Sequence, residues 1–246
     1  MEKPAGCFDL SSMAVSRKRE LSEISFSGGG RILHGGKEYV NFSSNDYLGL
    51  SSHPEILAAV RDGLLTNVGT ASSRLMTGST RLHHLLEEKV ARFKNKPAAL
   101  IFNTGYQANT GVISSLVGKG DCVFSDKLSH ASIVDGIKLS GAVSFRFRHN
   151  DTENLEELLR KNRRNFRKAL IVTESLFSMD GDEAPLKEIT ALKRSYGCLL
   201  MIDEAHATGI FGSSGAGLSE ETGLSEDIDV IDRKSTRLNS SHTIQS

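Results

Sequence analysis

Short apolar runs alternate along the chain with longer stretches in which apolar positions recur every three or four residues. Ala98–Phe102 (AALIF), Cys122–Phe124 (CVF), Val143–Phe147 (VSFRF), Ala169–Thr173 (ALIVT) and Cys198–Ile202 (CLLMI) read as strands. Just before the first of these runs, Thr80–Phe93 places Leu82, Leu85, Leu86, Val90 and Phe93 on one helical face. Asp151 stands before the run Leu155–Leu159 as an N-cap would, with acids near the helix start. Pro185 opens a further helix that closes before Gly197. This alternation predicts an α/β fold: a mostly parallel sheet with helices on both faces. ALIVT and CLLMI are apolar throughout rather than alternating, as strands covered on both sides are.

In sheets of this kind ligands lie outside the carboxyl ends of the strands. Polar residues collect there. Asn103, Thr104, Gly105, Tyr106 and Gln107 follow AALIF, and Ser129 and His130 follow CVF. Glu174, Ser175 and Ser178 follow ALIVT, and Asp203 and His206 follow CLLMI. One such cluster is ordinary loop chemistry; four at one predicted sheet edge imply a pocket.

Composition narrows the partners. The 246 residues carry 30 Lys+Arg against 30 Asp+Glu, so no global field draws the chain to nucleic acid or an anionic membrane. No apolar run approaches membrane-spanning length and no secretory h-region follows Met1, so the expected location is cytoplasmic. Cys7, Cys122 and Cys198 are far apart and odd in number, which speaks against a disulfide framework.

The stretch Asp203-Glu204-Ala205-His206 spells the motif of a nucleotide-driven helicase. That chemistry needs a glycine loop ending Gly-Lys-Ser/Thr. Gly36-Lys37 is followed by Glu38 and Gly118-Lys119 by Gly120, so the hydroxyl is missing from both. A zinc set of His83, His84, His130 and His206 is disfavoured because adjacent histidines point to different sides of a helix, and no metal is expected.

Pyridoxal phosphate suits the pattern better. Its phosphate needs a helix N-terminus with close backbone approach, which Thr104-Gly105-Tyr106-Gln107 offers. Its ring nitrogen needs a buried carboxylate, and Asp203 ends a buried strand. A cationic ring nitrogen would in turn give that carboxylate the partner it needs. His130 is the candidate for a planar group over the ring, and His206 for a donor to the phenolic oxygen.

Six stretches carry a resemblance: NFSSNDYLGL (Asn41–Leu50), SSRLMTGSTRLHHLLE (Ser72–Glu87), FNTGYQAN (Phe102–Asn109), DKLSHASIVDG (Asp126–Gly136), TESLFSMDGDEAPL (Thr173–Leu186) and IDEAHATGIFG (Ile202–Gly212). In unbroken order over roughly Arg17–Ile231 the chain resembles the α-oxoamine synthases, fold-type-I pyridoxal-phosphate enzymes. The resemblance implies a cofactor-dependent decarboxylative condensation of an amino acid with an acyl-CoA, in a homodimer. It implies that Gly105 and Tyr106 hold the cofactor, that His130 stacks on it and steers the amino acid, and that Ser178 and His206 touch it. It also implies that Asp203 pairs with the ring nitrogen, and that Arg19 meets a substrate carboxylate. Catalytic weight falls on His130, Asp203 and His206. The basic run Arg160–Lys168 is a candidate for CoA phosphates, against the plainer reading of a solvated helix end.

The end of the chain departs from the family. From Asp232 the sequence DRKSTRLNSSHTIQS has no apolar period, and DRKSTRLNSSH resembles a translated sequencing adapter. The expected organisation is an N-terminal segment (1–45), a partial cofactor-binding domain (46–231) and a non-native tail (232–246), with the C-terminal domain missing. The family's cofactor-bearing lysine sits in a Ser-Lys-Ala-like setting about thirty residues after the strand-end Asp. Lys234 falls near that spacing, but none of its neighbours matches, and inactivity is expected.

Overall fold

The computed structural model describes residues 21–65 and 68–232. The chain divides between Asn45 and Asp46 into two compact units. The first holds a three-stranded antiparallel meander of β1 (Ser25–Gly28), β2 (Arg31–His34) and β3 (Lys37–Val40). The pairs Gly29-Gly30 and Gly35-Gly36 turn it, all four at positive φ, the conformation that two-residue hairpin loops demand. Sequence reasoning passed over this meander, although Gly-Gly between short alternating runs is a hairpin signal.

In the second unit, α1 (Pro54–Leu64), α2 (Arg81–Phe93) and α3 (Gly105–Leu116) precede the main sheet. There follow β4 (Cys122–Asp126), α4 (Ala131–Ser140), β5 (Val143–Phe147), α5 (Thr152–Asn162), β6 (Ala169–Glu174), α6 (Leu186–Tyr196), β7 (Leu199–Asp203), α7 (Leu218–Glu221) and β8 (Val230–Asp232). The five strands pair in the order β5-β4-β6-β7-β8, all parallel. The predicted caps are in place: the Asp151 carboxylate accepts the Asn154 N–H at 2.8 Å, and Gly197 ends α6 at φ 60°.

Strand alternation sorts the core into two layers. Val123, Leu170, Val172 and Met201 face Ile113 and Val117 at the end of α3 and Ile133 and Ile137 of α4. Phe124, Ile171, Leu200 and Ile202 face Leu155 and Leu159 of α5 and Leu186 and Ile189 of α6. Every residue of β6 is buried, as its unbroken apolar run requires.

Two expectations fail, and on the same flank. Ala98–Phe102 is not a strand; among the described residues no strand pairs with it, and the Ile101 N–H donates instead to the Glu87 carboxylate at 3.0 Å. Its backbone instead lines an apolar cavity of about 420 Å³ shared with Asp229–Asp232 and α3. A strand needs a ladder partner, and apolar character alone does not supply one. Leu82, Leu85 and Leu86 of α2 form the predicted face, yet all three are exposed. What α2 does bury is Ala91 and, just past its end, Lys94.

Candidate functional site

The carboxyl ends of β4, β6 and β7 carry three buried acids: Asp126, Glu174 and Asp203. Parallel register sets Glu174 directly beside Asp203. Burial first, and then the neighbouring Asp203 charge, push the Glu174 carboxyl up to about 7. Asp203 is bound from two sides. Its Oδ1 accepts the Ala205 N–H at 2.9 Å and its Oδ2 the Asn109 side-chain amide at 2.9 Å. Among the described residues no Lys or Arg forms an ion pair with it.

Asn109 reaches Asp203 because α3 and α4 pack closely. A Cβ at Gly136 would meet the Asn109 carbonyl oxygen at 3.0 Å and Thr110 Cα at 3.1 Å, so a side chain there would push the two helices apart by a few tenths of an ångström. The same Asn109 amide donates to Ser132 Oγ at 3.0 Å, and Ser132 Oγ lies 2.7 Å from His130 Nδ1. The His130 backbone N–H donates to Glu174 Oε1 at 2.8 Å. His130 and Asp203 therefore belong to one connected network. On the loop after β6, Ser178 lines a cavity of about 240 Å³ together with His130, Glu174 and Phe177.

His206 lies on the turn leaving β7, its Nδ1 3.0 Å from the Tyr47 hydroxyl. Tyr47 was not singled out from the sequence, although it sits in the quoted stretch NFSSNDYLGL. Asn109, Ser132 and Glu174 were likewise given no role, because a buried amide or hydroxyl has no periodicity to betray it. Gly105 opens α3 behind the Thr104 cap, whose Oγ1 accepts the Gln107 N–H at 3.1 Å. Tyr106 is half-exposed and donates its hydroxyl to Asp135 of α4. Arg19 and Lys234 lie outside the described residues.

Glu204 answers a different need from Asp203. Its buried carboxylate takes Lys94 Nζ at 2.7 Å and the Ser219 N–H at 2.8 Å. It locks the end of α2 to the start of α7. His83 and His84 are likewise spent locally, on Thr80 and Ser79, and do not converge on a metal. Among the described residues no group of three His, Cys, Asp or Glu is placed to hold one. Two arginines of the basic run serve the fold: Arg163 donates to the carbonyls of Phe166 and Gly197, and Arg167 to Asp121.

A second network braces the edge. His149 lies between two carboxylates, Nδ1 at 3.0 Å from Asp126 and Nε2 at 2.7 Å from Asp182, with its ring edge-on to Phe177. Burial works against its charge, but the two acids outweigh that and raise it above the ordinary histidine range.

The pyridoxal ring fits the acid end of this crevice. A cationic nitrogen there would relieve an excess of buried negative charge, and the buried hydroxyls of Ser129 and Ser175 have no hydrogen-bond partner among the described residues. The phosphate end fits less well. Open space surrounds Gly105, but the atom nearest to a Cβ built there is Asp232 Oδ2 at 3.9 Å, an acid beside a helix N-terminus.

A doubly covered parallel sheet with this carboxylate at its edge defines a class, and residues 37–234 match one family directly. The chain belongs to the aminotransferase class I and II family, whose members depend on pyridoxal phosphate. Within it, the chain is 50% identical over 213 residues to 8-amino-7-oxononanoate synthase of Geobacter metallireducens, covering 86% of this chain and 54% of that protein. The same enzyme of Geobacter sulfurreducens is 51% identical over 213 residues, with 86% and 54% covered. Serine palmitoyltransferase from S. paucimobilis, solved with a bound PLP–myriocin aldimine, superposes with a TM-score of 0.80 at 37% identity, covering 85% of this chain and 53% of that one. The 8-amino-7-oxononanoate synthase of Francisella tularensis gives 0.62 at 32% identity, covering 74% and 50%. The chain thus spans about half the length of the relatives it matches. No helix among the described residues is long and apolar enough to cross a membrane.

Proposed function

We propose that the complete protein condenses an amino acid with an acyl-CoA, with loss of carbon dioxide, and that the pair is L-alanine and a pimeloyl thioester, as in biotin synthesis. The observation that carries this reading is the Asp203 carboxylate, buried at the end of β7 and held by neutral donors alone among the described residues. When bound, pyridoxal phosphate supplies an electron sink for negative charge developing on the amino acid's α-carbon.

The protein's own residues supply the setting. Asp203 keeps the ring nitrogen protonated, which is what makes the sink effective. His130 covers a ring face and steers the amino acid, while His206 and Ser178 hold the ring's polar substituents. Gly105 and Tyr106 mark the phosphate end, and Arg19 meets a substrate carboxylate. The 50% identity to a named 8-amino-7-oxononanoate synthase favours alanine over glycine, the amino acid of the alternative siblings, 2-amino-3-oxobutyrate CoA ligase and 5-aminolevulinate synthase. Residues 1–45, 46–231 and 232–246 are proposed as lead segment, partial cofactor-binding domain and foreign tail. The working form is proposed to be a homodimer in the cytoplasm.

The chain as written is proposed to be inactive, because Lys234 lacks the family's Ser-Lys-Ala-like surroundings. Borohydride reduction with pyridoxal phosphate followed by peptide mapping tests this: no pyridoxyl label is expected on Lys234, and a label there would overturn it. The substrate reading is tested on the complete reading frame. Turnover with L-alanine and a pimeloyl thioester is expected, and turnover with glycine in its place would contradict it. A non-catalytic fragment that docks on an intact subunit is the remaining reading, supported by the apolar flank beside β8.

A further inference from the structure

Hydrogen-bond directions around Asn109 can be settled by counting donors. An ionised carboxylate only accepts, so the group facing Asp203 Oδ2 at 2.9 Å must be the Asn109 NH₂. That same nitrogen lies 3.0 Å from Ser132 Oγ, so its second hydrogen goes there and Ser132 Oγ accepts it. The opposite amide orientation would set oxygen against the carboxylate and bury an NH₂ without acceptors. In this orientation Asn109 Oδ1 is the one amide atom left without a partner among the described residues. The serine's one hydroxyl hydrogen is then free for its remaining neighbour, His130 Nδ1 at 2.7 Å. The Ser132 backbone N–H is aimed at the same nitrogen, at 3.2 Å. Two donors converge on Nδ1, so Nδ1 carries no proton and the ring's hydrogen resides on Nε2.

We propose that Asn109 and Ser132 are positioning residues that hold His130 with its ring hydrogen on Nε2 and Nδ1 as an acceptor, with the Asp203 carboxylate as the origin of the ordering. The relay runs from β7 through α3 to the first turn of α4, and both intermediates are almost fully buried, at 2% and 1% exposure. Water therefore has little access to these two intermediates, while His130 at the end of the relay is exposed. His130 then offers a ligand a ring face and one N–H donor, with no acid–base chemistry at Nδ1. The importance of this for catalysis rests on the proposed reading that His130 and Asp203 serve one cofactor; the tautomer itself does not.

The test is a long-range ¹H–¹⁵N correlation spectrum of the labelled full chain without cofactor, with His130 assigned by its loss in His130→Gln. Wild type is expected to show a pyridine-like Nδ1 and a pyrrole-like Nε2. In Ser132→Ala and Asn109→Leu the Nδ1–H fraction is expected to rise about five-fold, the worth of one ordinary hydrogen bond. Ser132→Thr, which keeps the hydroxyl, is expected to restore the wild-type pattern. A wild-type proton on Nδ1, or variants that leave both nitrogens unchanged, would overturn the proposal. Failure of the chain to bind pyridoxal phosphate while the wild-type pattern holds would count against the cofactor reading alone.

Discussion

The two ends of one sheet contrast sharply. At the carboxyl ends of β4, β6 and β7 the three buried acids are answered: Asp203 by Asn109 and Ala205, Glu174 by His130, Asp126 by His149 and Asn150. Along β8 the structure is open, with a largely apolar 420 Å³ cavity, an Ala98–Phe102 segment that has no strand partner among the described residues, and a row of exposed leucines on α2. The first region is built wholly from elements that sit beside one another in the described chain. The second has the composition of a core and the exposure of a surface. Polar networks close locally, whereas a sheet edge and a helix face need a neighbour of matching size.

The strongest way to break this contrast is the bond that joins the two regions. Lys94 lines the open cavity, while its partner Glu204 follows Asp203 directly. Removing either charge alone strands the other in the interior. Lys94→Ala or Glu204→Ala is expected to cost roughly 3–5 kcal/mol in urea unfolding. A loss under about 1 kcal/mol would show the pair to be solvated.

Next in size comes a matched pair of truncations. Leu200 is fully buried in β7 and Leu100 is 74% exposed beside the cavity. Leu200→Ala is expected to lose roughly 2–5 kcal/mol. Leu100→Ala is expected to lose about 0.5 kcal/mol or less. Equal losses in thermal melts would mean that the flank is packed in solution.

Glu174 sharpens the comparison through pH. With its folded value raised to about 7, the folded state holds a proton that the unfolded state has released above the ordinary glutamate range. Stability attributable to it is present at acid pH and falls as pH rises toward 7, by up to roughly 3 kcal/mol. His149, raised by Asp126 and Asp182, adds stability below the ordinary histidine value that is lost as pH climbs through its folded value, in the same direction. Glu174→Gln is expected to flatten most of the slope in a series of melts between pH 5 and 8. An unchanged slope would assign it elsewhere.

The smallest effect concerns Asp232, whose carboxylate sits beside the start of α3. Asp232→Ala is expected to tighten binding of inorganic phosphate two- to five-fold, in line with about 0.3–1 kcal/mol for one charge at a helix N-terminus. Weaker binding would give Asp232 a supporting role instead.

Much of this was legible in the residues. Unbroken apolar runs foretold β6 and β7, and the cap and stop signals foretold the start of α5 and the end of α6. Polar clusters after the strands pointed to the edge where His130, Ser178 and Asp203 meet. Ala98–Phe102 and the α2 face were misread because hydrophobic period reports what a segment is suited to bury against, not whether the partner is at hand. Glu204 and Lys94 lie 110 residues apart, a separation no local pattern bridges. Asn109 and Ser132 escaped for the same reason: their importance comes from directions of hydrogen bonds, which exist only once α3 and α4 are packed.

The central claim is that the crevice at residue 203 receives the cationic ring of pyridoxal phosphate. Equilibrium titration of the chain with that cofactor, followed by absorbance and repeated on Asp203→Ala, measures it directly. The account predicts saturable binding that weakens at least about ten-fold in the variant, the worth of one charge-assisted hydrogen bond. Equal affinity in the two proteins would contradict it.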